Sequence, residues 1–243
     1  MNWFKKIFSK KPNENESIPS IQQEERIDYT VKLRLDSDRV SVPVLNVDFD
    51  VPKPRRITDN SNHLTYSKVR KLTPDFTVLD FETTGFDPEE DSIIQVAAVK
   101  YRNFEKTNEY ITFVNPIYEI PPKIMKITGI TDDDVGNAPY LSDVIPDLLS
   151  FLEDETIVAH NASFDMTFLL TSINEYKLPY VRYKVIDTLL LARKCIDNTS
   201  NHKLVTLKRF LKLNHLKSHN ALHDCYVTAE LYKYCYEKSL VTK

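Results

Sequence analysis

FTVLDFETTG, residues 76–85, is the most informative segment of this 243-residue chain. Its apolar positions Val78, Leu79 and Phe81 predict a buried β-strand, and Asp80 and Glu82 interrupt that strand with two carboxylates. Side chains two positions apart on a strand project from the same face, so these carboxylates lie close together and repel each other. A divalent cation would remove the repulsion, although a solvent-facing strand with scattered acids would show the same pattern.

The segments that follow this strand alternate between strand-like and helix-like patterns. Four more strands are predicted at SIIQVAAVKY (92–101), EYITFVNP (109–116), TIVAH (156–160) and RYKVID (182–187). Helical spacing of apolar residues is found over residues 141–154, 163–176, 188–195, 202–213 and 221–238. Three successive strands followed by alternating helices and strands predict an α/β domain with a mixed five-stranded sheet flanked by helices on both faces.

The composition changes near Pro74, so we expect residues 1–72 to form an N-terminal extension and residues 73–243 to form the main domain. RIDYTVKLRL (26–35) and RVSVPVLNVDFDV (39–51) alternate strictly, which predicts a β-hairpin or a segment that orders only against a partner. MNWFKKIFSKK (1–11) places apolar residues beside lysines at helical spacing. It indicates a short helix on anionic lipid or in a partner's groove, or else a frayed basic tail. The extension is therefore expected to be non-globular or to contain a hairpin.

Composition and charge exclude several classes of protein. The chain has no apolar run of about eighteen residues and no signal-peptide pattern, so a transmembrane segment and secretion are not expected. Three cysteines without a CxxC pair argue for reduced thiols, a cytoplasmic location and no zinc site. The net charge of −3 does not suit a protein that coats long nucleic acid. A nucleic-acid enzyme with an acidic site remains compatible with that charge.

AHNASFD (159–165) is the second stretch that joins polar residues to the end of a predicted strand. Ser163 is expected to cap the following helix, and Asp165 falls in its first turn, where the helix dipole favours a carboxylate. Asp165 can therefore be a helix-stabilising acid. It can also be a functional one, because loops at strand ends commonly contact ligands in α/β folds.

HNALHD (219–224) is the third such stretch, and it contains two histidines. A helix is predicted to begin near Ala221 with Asn220 as its cap, which puts Asp224 in the first turns facing the sheet. His219 precedes the helix on a loop. His223 is rotated by about 100° from Asp224 and is expected to point elsewhere.

These three stretches, taken in order, resemble the DEDDh 3′–5′ exonucleases of the DnaQ-like superfamily, which have an RNase H-like fold. The defining residues match Asp80 and Glu82 in DFETTG, Asp165 in HNASFD, and His219 with Asp224 in HNALHD. FVNP, PPKIMKITGIT and VIDT resemble the spacers of the family. Within it, the chain is most similar to the proofreading exonuclease subunit or domain of bacterial replicative DNA polymerase III. The resemblance covers residues from about 75 to 240.

The resemblance implies specific roles for the matching residues. Two Mg²⁺ or Mn²⁺ ions would be held by Asp80, Glu82, Asp165 and Asp224, and His219 would take the proton from the attacking water. The residues placed against the terminal nucleotide would be Thr83, Thr84, His160, Asn161 and Phe164. Phe164 also has an independent rationale as a stacking surface for a base.

The expected function is metal-dependent 3′–5′ exonucleolytic hydrolysis at DNA 3′ ends, which releases nucleoside monophosphates in proofreading or repair. Expected partners are single-stranded or frayed nucleic-acid 3′ ends, with DNA favoured, and a DNA polymerase or clamp contacted through the extension. Two alternatives stay open: trimming of short RNA, and a non-catalytic module that binds ends beside a polymerase or clamp. The intact set of five catalytic positions disfavours the second alternative.

A basic stretch without acids precedes the last helix, from Asn198 to His223. It can form a phosphate track leading to the site, or a solvated helix face whose lysine stems cover the core. Its basic residues are Lys203, Lys208, Arg209, Lys212 and Lys217.

Overall fold

A mixed six-stranded sheet organises residues 64–241, the part of the chain that the computed structural model describes. Its strands are β1 (Ser67–Lys68), β2 (Phe76–Thr83), β3 (Ile93–Arg102), β4 (Glu105–Phe113), β5 (Thr156–Ala159) and β6 (Lys184–Asp187). They lie in the order β1-β6-β5-β2-β3-β4. Strands β2, β3 and β4 pair antiparallel, whereas β5, β6 and β1 continue the sheet in parallel from β2.

Five strands were predicted, and the sheet has a sixth, because β1 pairs in parallel with β6 at one edge. The backbone N–H groups of Ser67 and Val69 donate to the carbonyls of Tyr183 and Val185 at 2.8 and 3.0 Å. A two-residue strand is too short to show alternation, which is why periodicity did not detect it. It lies inside the segment 1–72, whose boundary with the main domain stays a prediction. The hairpin and short helix predicted before residue 64 lie outside the described residues.

Seven helices flank the sheet in the described part of the chain. They are α1 (Pro122–Thr128), α2 (Asp132–Val135), α3 (Leu141–Leu152), α4 (Ser163–Glu175), α5 (Thr188–Cys195), α6 (Leu204–Phe210) and α7 (Ala221–Val241). The five predicted helices are confirmed, with ends that differ by up to three residues, and α1 and α2 are additional. Across residues 64–241, the model contains no helix whose length and apolar character would let it cross a bilayer.

The sheet is covered on both faces, and the strand alternation decides which residues meet which helix. Leu79 and Phe81 join the core cluster built with α3 and α4, whereas Phe76 and Val78 join the cluster built with α7. Burial on both faces explains why β2 and β3 are nearly continuous apolar runs. By the same alternation, the acids at even positions of β2 lie on the α7 face.

Candidate active site

The acidic residues converge in a cleft of about 340 Å³ at the C-terminal end of β2. Asp80 and Glu82 come from β2, Asp165 comes from the first turn of α4, and Asp224 comes from the first turn of α7. His219 lies on the loop before α7 and also lines the cleft. The structure therefore brings together all five residues that the sequence predicts as catalytic, from three stretches far apart in the chain.

Asp165 is fixed to the strand that carries the other acids. Its Oδ1 atom accepts a hydrogen bond from the backbone N–H of Phe81 at 3.1 Å, and its side chain is 2% exposed. The expected cap at Ser163 is wrong, because Ser163 is the first helical residue and Ala162 occupies the cap position without a side-chain bond. Asn161 before it adopts a left-handed φ of 62°, which asparagine tolerates better than most residues. This tight turn lets α4 start directly beside β2.

Asp224 and His219 are positioned by the way in which α7 begins. The predicted start at Ala221 is confirmed, and the Ala221 N–H donates to Gln95 Oε1 on β3 at 3.0 Å. Asn220 caps the helix as predicted, with its Oδ1 accepting from the His223 N–H at 3.2 Å. Asp224 Oδ2 in turn accepts from the backbone N–H of His219 at 2.9 Å. The histidine ring remains exposed above the buried carboxylate.

The carboxylates disfavour one another's ionisation. Burial, followed by the charges of Asp165, Asp224 and Glu82, raises the pKa of Asp80 well above its ordinary value. Burial, with Asp224 and Asp165, raises the pKa of Glu82 to about 8, and burial raises the pKa of Asp165 to about 7. Burial also raises the pKa of Asp224, opposed by the backbone N–H and charge of His219. Four ionised carboxylates are therefore unfavourable at neutral pH unless a cation compensates them.

The donor set fits a divalent cation. One potential ligand atom each from Glu82, His219 and Asp224 lies within 4.8 Å of the others, and this is the group of that kind found among residues 64–241. Carboxylate oxygens are the ligands that hard divalent ions prefer. Asp80 and Asp165 line the same cleft, so they can complete the coordination from the strand and α4 sides. His219, predicted as a base, also lies within reach of a ligand position.

The predicted nucleotide-binding residues separate into two groups. Thr83, His160, Asn161 and Phe164 line the cleft. Thr84 does not; its hydroxyl accepts from the Ser92 N–H at 2.8 Å and donates to Asp91 Oδ1 at 3.3 Å, which closes the turn after β2. The structure therefore assigns Thr84 to the turn that shapes the cleft.

Both ring nitrogens of His160 are occupied by protein groups. Nε2 lies 3.0 Å from the His202 carbonyl and Nδ1 lies 3.0 Å from the Thr188 hydroxyl. Burial lowers the pKa of His160, which favours the neutral ring. Because a carbonyl can only accept, a neutral His160 ring carries its proton on Nε2, and Nδ1 shares the Thr188 hydroxyl proton with the Ala159 carbonyl, which lies 3.3 Å from that hydroxyl. His160 thus forms a wall of the cleft with both ring nitrogens engaged.

Apolar side chains that the sequence did not single out form the rim of the cleft. Phe86 is 86% exposed, and its ring lies 6.2 Å from that of Phe164 in an edge-to-face arrangement. Ile127 on α1 is 43% exposed. Exposed apolar side chains beside an acidic site indicate a surface for a flat apolar ligand group. The further lining residues are Phe81, Gly85, Ile124, Thr128 and Leu204.

Asp187 is a further residue near the cleft that was not predicted from the sequence. Its Oδ1 accepts from the Leu189 N–H at 2.9 Å, which caps α5, and from the Asn161 N–H at 3.2 Å. The same carboxylate therefore supports the left-handed turn before α4. The signal was available in VIDT, which places an acid directly before a helix.

Comparison with known proteins identifies the family to which this fold and site belong. The exonuclease family model RNase_T matches residues 77–232. A DNA polymerase III PolC-type protein of Caldanaerobacter subterraneus subsp. tengcongensis is 36% identical over 182 residues, and one of Thermotoga maritima is 41% identical over 162 residues. These alignments cover 75% and 65% of this chain but only 13% and 11% of those proteins, so the chain spans a small part of their length.

Solved structures show the same fold. Exonuclease X in complex with 5′ overhanging duplex DNA is 29% identical with a TM-score of 0.51, covering 67% of this chain and 92% of that one. Escherichia coli exonuclease I in complex with a dT13 oligonucleotide is 18% identical with a TM-score of 0.62, covering 70% and 42% of the two chains. The second likeness concerns the fold alone. The family match, which spans all five converging residues, shows that this chain belongs to the RNase_T exonuclease family.

Proposed function

We propose that this chain is a divalent-metal-dependent 3′–5′ exonuclease that removes nucleoside monophosphates from DNA 3′ ends in proofreading or repair. The observation that carries the proposal is the convergence of four buried or half-buried carboxylates beside an exposed histidine in one open cleft. DNA is favoured because exonuclease X, 29% identical to this chain, was solved in complex with DNA. The similarity to PolC-type proteins supports a role beside a polymerase.

Asp80, Glu82, Asp165 and Asp224 are the residues that would hold Mg²⁺ or Mn²⁺. Two such ions supply stabilisation of the charge that develops on the attacking and leaving oxygens of a phosphodiester. The raised pKa values of the carboxylates support this role, because burial and mutual repulsion make their ionised forms unfavourable without a compensating positive charge. The bound phosphate would lie over the open side of the cleft, where solvent reaches the site.

His219 would act as the general base. Its ring is exposed to solvent, and its backbone N–H donates to Asp224. This hydrogen bond fixes the position of the residue, so that water can reach the ring beside the cleft. The imidazole would take a proton as the water oxygen bonds to phosphorus. The bond from phosphorus to the 3′ oxygen of the penultimate nucleotide then breaks, and this oxygen takes a proton from solvent water, which leaves a new 3′-hydroxyl and releases a nucleoside 5′-monophosphate.

The rim and walls of the cleft would bind the terminal nucleotide. Phe164 and Phe86 offer aromatic faces and edges on which a base can stack without sequence preference. Thr83 and Asn161 lie on the lining beside the acids. His160 would contribute shape, since both of its ring nitrogens are engaged. Thr84 would act through the turn that it closes.

Single-stranded or frayed 3′ ends are the proposed substrates, and a polymerase or clamp is the proposed macromolecular partner. The segment proposed to reach such a partner is the extension of residues 1–72, of which residues 1–63 lie outside the described part of the chain. The main domain would then be the catalytic part, consistent with the family match that begins at residue 77.

The test is hydrolysis of 5′-labelled single-stranded DNA, mismatched duplex DNA and RNA with Mg²⁺, Mn²⁺ or EDTA. We expect a ladder of shortened 5′-labelled DNA with either metal and none in EDTA. Asp80→Ala should abolish the ladder, and Asp133→Asn should preserve it, because Asp133 is an exposed acid outside the cleft. Faster shortening of RNA than of DNA would replace the substrate in this proposal, and full activity in EDTA would refute the metal requirement.

A further inference from the structure

Lys208 is a buried lysine on α6 that belongs to neither the acid cluster nor the surface. Its side chain is 8% exposed, whereas Lys203, Arg209, Lys212 and Lys217 of the same basic stretch are exposed. The phosphate track considered for that stretch therefore cannot include Lys208. A buried ammonium is unfavourable unless its N–H groups find acceptors, so its partners indicate why it is there.

Both hydrogen-bond partners of the Lys208 ammonium lie on the loop that ends at His219. Its Nζ donates to the Leu216 carbonyl at 2.9 Å and to the Ser218 hydroxyl. The Lys208 carbonyl also accepts from the Leu213 N–H at 2.9 Å, where the same loop leaves α6. One residue thus contacts the beginning, middle and end of the segment between α6 and α7.

The loop needs such support because His219 has a left-handed backbone. Its φ of 56° is an uncommon conformation for a residue with a Cβ, and it persists only where the surroundings fix it. Two further hydrogen bonds restrain the loop: the Lys217 N–H donates to His223 Nδ1 at 3.0 Å, and the His219 N–H donates to Asp224 Oδ2 at 2.9 Å. These two bonds hold the loop from the α7 side, and Lys208 holds it from the α6 side.

We propose that Lys208 is a positioning residue that holds the loop so that the His219 ring stays over the carboxylates. This inference rests on the proposed function of His219 as the base. Lys208 itself does not line the cleft, so its effect reaches the reaction through the loop that carries His219.

A double-mutant cycle on the full chain separates positioning from general support of the fold. Lys208→Met keeps the aliphatic stem and removes the donors, and Lys194→Met is the matched control on an exposed lysine of α5. We expect Lys208→Met to lower kcat about 10- to 100-fold on 5′-labelled single-stranded DNA, as expected when a reacting group is misplaced by about 1 Å. The KM should change little, because Lys208 does not line the cleft.

The decisive comparison is the same substitution in a His219→Ala background. If Lys208 acts through the histidine, Lys208→Met should there lower kcat by less than about 3-fold, because the two changes disrupt one unit. An equal loss in both backgrounds would overturn the proposal, as would a kcat of Lys208→Met equal to that of the control. Wild-type protein without nuclease activity would instead refute the proposed function.

A readout independent of catalysis completes the test. Amide hydrogen exchange of residues 216–219 should be faster in Lys208→Met than in the wild type and in Lys194→Met, because the hydrogen bonds from the ammonium to the loop are lost. Unchanged exchange in these residues would overturn the positioning role even if activity fell. Should Lys208→Met not fold, Ser218→Ala removes one acceptor and should show the same effects in weaker form; its failure to alter exchange or kcat would equally count against the proposal.

Discussion

Replacement of Glu82 by glutamine should stabilise the metal-free protein while it disables the site. Glu82 has a pKa of about 8 in the fold against an ordinary value of 4.5, and its burial is the first cause. Between these two pKa values, the acid keeps its proton in the folded state, whereas the unfolded chain has lost it. This difference lowers the free energy of unfolding. The loss is absent below about pH 4.5, grows up to about pH 8 and is then constant.

The size of this effect follows from about 1.36 kcal/mol per pH unit of difference. The penalty is therefore about 1 kcal/mol at pH 5.5 and about 4 kcal/mol at pH 7.5. Glutamine does not titrate, so Glu82→Gln should exceed the wild type in unfolding free energy by similar amounts. The burial of Glu82, at 9% exposure, justifies using the shift without discounting it for solvent.

Urea unfolding in EDTA at pH 5.5 and pH 7.5 measures these differences, with Asp133→Asn as the control. Saturating Mg²⁺ or Mn²⁺ should reverse the order, because a cation that binds only the folded state stabilises the wild type by mass action. The variant has lost a ligand and should gain less. If Glu82→Gln in EDTA is less stable than the wild type at pH 7.5, or its advantage does not grow with pH, the electrostatic reasoning is refuted.

Three further predictions concern the histidines, the rim and the first strand. His219→Ala should lower kcat about 10²- to 10⁴-fold. His223→Ala, which removes the acceptor for the Lys217 N–H, should lower kcat less than about 10-fold. Measured pH–rate profiles of both variants check this, and loss of the acid limb in His223→Ala alone would exchange their roles. Phe86→Ala should raise the KM for single-stranded DNA about 10-fold with kcat nearly unchanged, because stacking of a base on an aromatic ring contributes about 1–3 kcal/mol to binding. Steady-state kinetics measure both constants, and a fall in kcat alone would contradict this prediction. A chain beginning at Leu64 should keep the wild-type stability of the domain. A chain beginning at residue 73 should lose several kcal/mol of unfolding free energy, because it lacks β1 and the apolar side chains near β1 that pack against the core. Equal midpoints of urea unfolding would show that β1 is dispensable.

Local patterns were sufficient to predict most of the elements and the identity of the acids. Within residues 64–241, five of the six strands and five of the seven helices follow from periods of two and about 3.6 residues, which neighbouring positions alone display. The start of α7 at Ala221 and its cap at Asn220 follow from equally local chemistry. The order of the acids and the histidine was sufficient for the resemblance to the exonuclease family that the comparisons confirm.

Contacts between distant segments decided the rest, because no local period reports on them. β1 exists only through its pairing with β6, and Asp165 faces the other acids because the Phe81 N–H holds its carboxylate. His160 stands in a motif that suggests a ligand, yet Thr188 and His202 occupy its ring. In the sequence, Lys208 looks like one more surface lysine. In the structure, the chain returns at Leu216 and Ser218 and covers its side chain. A one-dimensional pattern tells which side chains share a face, but the partners of a buried polar group depend on where the chain comes back in space.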